Sequence, residues 1–398
     1  MSDIVALKDL CEIDITDGTH KTPTYSNEGF IFLSSKNVTS GKIDWEDIMY
    51  IPQWLHDELY KRIAPKKDDI LLAKNGTTGV AAIVDKDEIF DIYVSLALIR
   101  PDKRKILPRY LLHAINSEPS KKFFDSHLKG IGVPNLHLTH IRETPINVPS
   151  FAQQQYIIDI LDKLESNISL RKQQLSKLDE LVKSRFIELF GDPISNPKNL
   201  PVKTLKQLST LITNGNTPKG GSENYVENGI LFLRSQNVWR NRIELDDVAY
   251  IDEATHRSLK KSSLRYKDIL ITKTGRINTE NSSLGRAALY LGKDNSANIN
   301  GHVYLVRLDG SVVPEYVVTI LTSEAYRMYI RKVCVGGIDK RQINLDQVED
   351  FPIILPSFEL QEQFAVFVEQ VDKSKFEIQK SLEKLETLKK ALMQKYFG

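Results

Sequence analysis

The chain of 398 residues contains only two cysteines, Cys11 and Cys334. That number excludes a disulfide framework and a cysteine-built zinc centre. No run of 18 apolar residues occurs, so no segment reads as a membrane-spanning helix. The opening MSDIVALKDL carries no basic patch ahead of an apolar stretch, so a secretory signal is not expected, and the cytoplasm is the expected compartment. Charge of one sign is also scarce: 54 Lys and Arg stand against 52 Asp and Glu, a net charge of +2. This is mild for a nucleic-acid binder, whose domains usually have a pI above about 9. Binding of that kind is permitted only if the positive charge is sorted onto one face. The signatures of chemistry are missing as well. There is no GxxxxGK(S/T) loop and no strand-linked GxGxxG to cradle a nucleotide, and no HExxH or Cys-x-x-Cys pair to hold a metal. The Asn-Pro-Pro-aromatic signature of amino-methyltransferases is absent, and Asn196-Pro197-Lys198 reads as a linker turn. His137 and His140 stand three apart with no further ligand evident, as a polar loop or helix start would place them. No catalytic residue and no metal ligand is assigned.

What the sequence does contain is a copy of itself. GFIFLSSKNV at 29–38 returns as GILFLRSQNV at 229–238, with Phe32, Leu33, Ser35, Asn37 and Val38 identical at that offset. Ile43, Asp47, Tyr50, Ile51 and His56 are also kept. DILLAKNG (69–76) matches DILITKTG (268–275), GVAAIV (79–84) matches GRAALY (285–290), and LPRYLLHAINSE (107–118) matches VPEYVVTILTSE (313–324). PSF recurs at 149–151 and 356–358, and Phe190-Gly191 recurs as Phe397-Gly398. A duplication of this extent governs the architecture.

Each copy begins with short apolar runs such as FIFLSS, DILLAK and VSLALIR. Their strand length, β-branched content and Gly, Asn, Asp and Pro punctuation predict strands. A helical patch at Tyr110–Ser117, repeated at Tyr316–Leu321, completes an α+β domain of about 150 residues. Tyr110 and Tyr316, like Tyr50 and Tyr250, read as core aromatics.

The second part of each copy differs in kind. From Phe151 to Phe190 there is no Pro or Gly, and Pro149-Ser150 supplies a helix start. Leu161, Ile168, Leu175, Val182 and Leu189 recur every seven residues at one seam position. Ile157, Leu164 and Leu178 hold the other, interrupted by Arg171 and Arg185. In the second copy Phe364, Val371, Ile378, Leu385 and Leu392 form an unbroken row, while Val368, Leu382 and Tyr396 share theirs with Lys375 and Lys389. A two-position stripe held for about five heptads predicts a coiled-coil seam, on helices near 50 Å long at roughly 1.5 Å per residue. Pairing the two helices antiparallel would satisfy both seams and relate the copies by a pseudo-twofold axis. The expected layout is a domain over 1–150, a helix over 151–190, a linker over 191–201, a second domain over 202–355 and a second helix over 356–398.

The candidate functional residues lie in loops after the apolar strands. In the first copy these are Thr19, His20 and Lys21 after Gly18; Ser35, Lys36 and Asn37; Lys74, Asn75 and Thr77; and the Gly130-Ile131-Gly132 turn. In the second they are Asn216 and Lys219; Arg234, Ser235, Gln236 and Asn237; Lys273, Thr274 and Arg276; and Lys340, Arg341 and Gln342 after Gly336-Gly337. Glycine admits a phosphate close to the backbone, and Arg, Asn and Gln make bidentate pairs with base edges. Taken singly each loop could equally be a solvated turn, and the kept Asn37 and Asn237 could be turn caps. Thr77-Thr78 has become a longer insertion, Arg276–Ser283. A kept frame with altered loops is what two readers of different sequences would show.

At these residues the chain resembles the DNA-specificity subunits of type I restriction–modification systems, over its whole length. The resemblance rests on the duplicated domain–helix layout and on FLSSKNV with FLRSQNV. It rests also on DILLAKNGTTGVAAIV with DILITKTG…GRAALY, and on PINVPSFAQQQYIIDILDKLE with PIILPSFELQEQFAVFVEQVD running into the long helices. RFIELFGDP and KYFG complete the pattern. The resemblance implies two target-recognition domains, each reading half of an asymmetric, interrupted double-stranded DNA site, on a spacer of paired helices. It implies two modification subunits that bind S-adenosylmethionine and methylate adenine N6, and restriction subunits that use ATP and Mg, with no cofactor and no catalysis in this chain. The longer Arg276–Ser283 loop departs from the first copy and leaves alignment open there. Two further readings stay open at this point: a recognition module of another DNA-modifying or transposition system, and a coiled-coil scaffold that binds only proteins.

If the seams pair, helix length sets the separation of the readers. Deleting one heptad keeps the register and shortens a helix by roughly 10 Å, and DNA rises about 3.4 Å per base pair. Removing Ile168–Gln174 together with Lys375–Ser381 is therefore expected to shorten the preferred spacer by up to about three base pairs. Selection from randomised-spacer DNA reads this out, and an unchanged spacer at undiminished affinity would refute it.

Overall fold

The computed structural model describes residues 3–128, 134–218, 220–279 and 281–398. The chain divides into two compact units, one of Met1–Gln173 with Gln379–Gly398 and the other of Gln174–Ile378. The division falls inside both long helices, so each unit is a globular domain carrying a piece of each helix.

In the first unit a four-stranded antiparallel sheet runs in the order Thr16–Asp17, Leu96–Ile99, Ile70–Ala73, Ala81–Ile83. A second sheet places Phe30–Leu33 between antiparallel Met49–Ile51 and parallel Phe90–Ile92. The second unit repeats both, with Ser209–Asn214, Val303–Leu308, Ile269–Thr272 and Ala287–Leu289 in one sheet. Its other sheet holds Ile230–Leu233 between Ala249–Ile251 and Ala297–Ile299. The chain is thus α+β with two tandem domains. The run ILLA is buried at all four positions because it is covered on both faces. Alternation sends Ile70 and Leu72 into the core beneath the helices, and Leu71 and Ala73 into the core between the sheets. The aspartate that opens each run is a lock. Asp69 is held by both forks of Arg100 at 2.8 and 2.7 Å, and Asp268 by Arg307 at 2.9 and 2.6 Å, the strongest class of side-chain pairing.

The long helices are Phe151–Phe190 and Phe358–Phe397, 40 residues each, so about 60 Å apiece. Within the first unit Glu165 meets Lys389 at 2.8 Å and Lys172 meets Glu386 at 2.9 Å. One index rises as the other falls, so the segments run antiparallel. Within the second unit Lys375 meets Asp179 at 2.7 Å. The lysines that interrupt the apolar stripe thus sit at its margin and reach a carboxylate on the opposite helix. Leu161, Leu164, Phe364, Val371 and Leu382 are buried, and Ile168, Leu175, Leu178, Val182, Ile378, Leu385 and Leu392 are half-buried.

Two devices fasten helix to domain. Buried Gln154 accepts the Leu107 N–H at 2.8 Å and donates to the Pro149 carbonyl at 2.9 Å. Gln361 does the same with Val313 and Pro356, each at 3.0 Å. This accounts for the glutamine that follows PSF in both copies. The Phe-Gly ends supply the other device. Phe397 packs 5.4 Å from the Tyr110 ring in the first unit, and Phe190 packs 4.9 Å from Tyr316 in the second. Each tyrosine is fully buried and donates its hydroxyl to a backbone carbonyl, that of Asn147 or of Ile354.

Gln154→Leu strands a buried N–H and a buried C=O, each worth about 1–3 kcal/mol. It is expected to lower the hydrogen-exchange protection of the first unit's strands while leaving the second unit's strands unchanged. Equal loss in both units, or none, would contradict the assigned role.

Candidate nucleic-acid interface

The first group of candidate residues follows a close backbone approach. A Cβ on Gly18 would lie 1.9 Å from the Ile92 carbonyl oxygen, and one on Gly215 would lie 2.0 Å from that of Ile299. Only glycine fits either position. The loop after Gly18 is pinned from within, because Arg62 donates to the carbonyls of Asp17 and Gly18, and Lys74 pairs with Asp17 at 2.8 Å, both side chains buried. Above this floor Thr19 is half-buried, and its hydroxyl accepts from the Lys21 N–H. His20 and Lys21 are exposed, His20 lying 3.2 Å from Asp17 and Lys21 lying 3.9 Å from Glu58. In the second copy Asn216 is exposed. Lys219, like Gly130-Ile131-Gly132, lies outside the described residues.

Three assigned residues must be corrected. Lys74 is buried, and its ammonium is committed to Asp17, so it braces the loop and does not reach a ligand. Asn37 and Asn237 are each 1% exposed. Asn37 accepts from the Ser34 N–H and donates to the carbonyls of Asp44 and Asp47. Asn237 makes the same bonds with Arg234, Glu244 and Asp247. Both are turn caps, and burying an amide with every polar atom satisfied is what keeps asparagine there. The assigned residues that precede them in each loop are exposed or half-buried. Lys36 reaches Asp47 at 3.3 Å, the Ser35 N–H donates to Ser95 Oγ, and Ser235 is half-buried. Arg234 and Gln236 both donate to Asp247. One carboxylate, kept in both copies, thus stands at the same loop against different side chains.

The structure also joins loops that are far apart in sequence. Asn75 forms an antiparallel bridge with Asn135, while Leu136 N–H donates to the Lys74 carbonyl at 2.8 Å and Gly76 N–H to that of Pro134 at 3.3 Å. In the second copy Thr274–Arg276 pairs with Lys340–Gln342, matching Thr274 to Gln342, Gly275 to Arg341 and Arg276 to Lys340. Ile343 N–H donates to the Lys273 carbonyl at 3.0 Å, the bond that Leu136 makes to Lys74. The backbone frame is therefore the same and its contents differ. The first copy presents two facing amides, whose Oδ1 atoms are buried with no hydrogen-bond partner among the described residues. The second presents Thr and Gln flanked by exposed Arg276 and Lys340. Arg276 lies 3.3 Å from Asp339, Arg341 donates to the Gly337 carbonyl, and half-buried Lys273 lies over Tyr304 at 5.8 Å. Thr77 is exposed beside Gly76. Asn135 was missed by the sequence reading. Its one signal was the alignment of PNL (134–136) with RQI (341–343), which has no identity to reveal it.

His113, Asp162 and Glu165 offer ligand atoms within 4.8 Å of one another. The group is already neutralised from two sides, by Arg109 on Asp162 at 2.8 Å and by Lys389 on Glu165 at 2.8 Å. Burial pushes the Asp162 carboxyl up, but the hydrogen bonds from His113 and Arg109 outweigh it and hold the group below its ordinary value. Two cations among three ligands make this an ion-pair network that ties the helix Pro108–Ile115 to both long helices.

Residues 2–180 match the family described as "Type I restriction modification DNA specificity domain". The chain is 23% identical over 388 residues to the type I restriction enzyme StySPI specificity subunit of Salmonella potsdam, covering 92% of this chain and 81% of that one. It is 21% identical over 389 residues to the EcoKI specificity subunit of Escherichia coli K12, with the same coverage. Among solved structures it is similar to the S subunit of a type I restriction-modification system from M. genitalium. There the TM-score is 0.61 at 13% identity, covering 100% of this chain and 96% of that one. It is also similar to a chain from a structure titled for complex assembly and conformational transition of the type I R-M system. That match has a TM-score of 0.55 at 18% identity, covering 100% and 97%. At these identities the structural likeness speaks for the fold.

Two lysines separate bracing from binding. Lys74→Met leaves Asp17 buried without its cation, and is expected to cost about 3–5 kcal/mol. Lys36→Ala, at the surface, is expected to stay within about 0.5 kcal/mol of the parent. Urea midpoints that coincide for the two variants would undo the distinction.

Proposed function

We propose that the chain, which belongs to the family whose type I restriction modification DNA specificity domain matches residues 2–180, reads the two halves of an interrupted, asymmetric duplex DNA site. The observation that carries this is the repeated strand bridge: Asn75 against Asn135 in one copy, Thr274–Arg276 against Lys340–Gln342 in the other. Amides at one bridge and Arg with Lys at the other differ in charge and hydrogen-bonding character, so equal frames with unequal contents give two half-sites of different sequence. His20, Lys21, Lys36 and Thr77 in the first copy, and Asn216, Gln236, Arg276 and Lys340 in the second, are the exposed side chains available to bases and phosphates.

In this reading the chain contributes recognition and no catalysis. Two modification subunits, holding S-adenosylmethionine, would methylate adenine N6. Restriction subunits, using ATP and Mg, would translocate and cut. The long helices offer these partners apolar side chains that no seam absorbs, including Leu170 at 52% exposure and Phe376 at 65%.

The full chain is expected to bind duplex DNA with an affinity whose logarithm falls linearly with log salt. Methyl transfer is expected only once modification subunits and S-adenosylmethionine are added. Asn75→Ala with Asn135→Ala should relax one half-site by about 1–3 kcal/mol, and Gln342→Ala with Lys340→Ala the other, in methylation-site mapping of the assembled complex. Loss at both half-sites from either pair, or methyl transfer by the chain alone, would overturn the proposal.

A further inference from the structure

The second copy carries a cationic pocket built from residues that the first copy lacks at the matching positions. Val238–Trp239 and Arg242–Ile243 form a tight hairpin, tethered where the Asn241 N–H donates to the Ala287 carbonyl at 2.9 Å. Beside it Arg286, only 7% exposed, lays its guanidinium 3.8 Å from the Trp239 ring centroid, and Arg242 lies 5.2 Å from the same ring. Arg286 is held in place by donating to the Ser282 carbonyl at 3.0 Å and to that of Asn281. Trp239, Arg240, Arg242, Asn281, Ser282 and Arg286 line an open cavity of about 190 Å³. At the matching positions the first copy has Thr39, Ser40, Lys42 and Val80. The tryptophan and all three arginines therefore belong to the second copy alone, as does the inserted loop that supplies Asn281 and Ser282.

Gathering these arginines is costly. Loss of water, partial around exposed Arg240 and nearly complete around buried Arg286, holds both below the ordinary guanidinium value. Next, for Arg240, come the like charges of Arg327 and Arg331, with Glu324 opposing; for Arg286 they are those of Arg240 and Arg242, with Glu244 opposing. A guanidinium does not shed its proton at working pH, so the repulsion stands until an anion relieves it. Glu244, bound to Arg242 at 2.7 Å, cancels one of the three charges. A planar fork favours phosphate, which it can hold through two hydrogen bonds at once. Stacking on Trp239 fixes the plane of the Arg286 guanidinium.

We infer that this pocket binds a phosphate group, and that its source is the backbone of the DNA bound by the second copy. The second clause rests on the function proposed above. It is favoured by continuity: the inserted loop leads directly from the strand Thr274–Arg276, which is part of the bridge assigned to base reading, to Arg286. The pocket would then anchor the backbone without reading sequence.

The test uses the full chain with Trp45→Phe and Trp54→Phe, so that Trp239 alone reports. One arm titrates duplex DNA of arbitrary sequence across a series of NaCl concentrations. The other adds inorganic phosphate against NaCl at equal ionic strength. Arg240 and Arg242 are exposed, so Arg240→Gln and Arg242→Gln are expected to keep the parent's urea midpoint. Each should make the slope of log affinity against log salt shallower by about 0.9 for every phosphate that is no longer neutralised, equally on all sequences. Inorganic phosphate should change the Trp239 emission of the parent and not of the variants. A phosphate response with unchanged slopes would support the site and assign it to free phosphate. Unchanged slopes with no phosphate response would overturn it. So would loss of modification-subunit binding in Arg240→Gln at an unchanged slope, which would assign the surface to an acidic protein. Failure of the parent itself to bind DNA in a salt-dependent way would instead count against the proposed function, leaving the phosphate arm to judge the pocket.

Discussion

The core beneath each four-stranded sheet is closed by residues from both copies, and the rest of the structure depends on that closure. In the first unit Ile157, Ile158 and Leu161 come from the helix that follows the domain, while Leu392, Met393, Tyr396 and Phe397 come from the other long helix. In the second unit Phe364 and Val368 follow their domain, and Val182, Phe186, Leu189 and Phe190 come from the first helix. A domain of this size that lacked either contribution would leave aromatic core surface in water, at about 25 cal/mol per Å². The duplication is therefore kept at the helices and at the residues that receive them, Tyr110 and Tyr316 above all.

Away from that core the two copies have drifted according to burial. Asp69–Arg100 and Asp268–Arg307 persist, as do the Asn37 and Asn237 caps and the Gln154 and Gln361 clamps. Each is a buried polar group whose partners would be stranded by a one-sided change. One buried pair has changed by half: His56 donates to or accepts from Asp91, and His256 does so with Asn298. An amide can serve in place of a carboxylate there because both offer the ring nitrogen an oxygen. At the half-buried bridge no side-chain partner is shared between the copies, and Asn75/Asn135 stands where Thr274/Gln342 stands in the other. Stability is held by the buried locks, which leaves the surface free to set specificity.

The arginine pocket shows the same freedom at larger scale. An insertion between two strands, with four substitutions on neighbouring elements, has produced a site whose members repel one another. Such an arrangement persists when surrounding structure enforces it, here through Trp239 and the carbonyls of Asn281 and Ser282. It costs the fold little because it lies outside the cores shared by the copies.

Much of this molecule is written locally. The duplication, the α+β order of each copy and the long helices follow from strings and periods, because short apolar runs between turn residues suit buried strands and an apolar stripe every seven residues suits a paired helix. The lysines at 375 and 389 read as defects in the stripe because their acidic partners, Asp179 and Glu165, lie about 200 residues away in sequence. The candidate site divides in the same way. That polar, glycine-bearing loops follow the strands is visible in the chain, but whether a given side chain faces outward is not. Asn37, Asn237 and Lys74 have the residue types of readers and are buried as braces, because exposure at a turn is decided by which distant backbone groups need a partner. Asn135 carried no identity to mark it, since only its backbone bridge with Asn75 brings it to the site. Local composition set the kinds of element and their order; the burial of polar groups, a property of segments meeting in space, decided which side chains are free to bind.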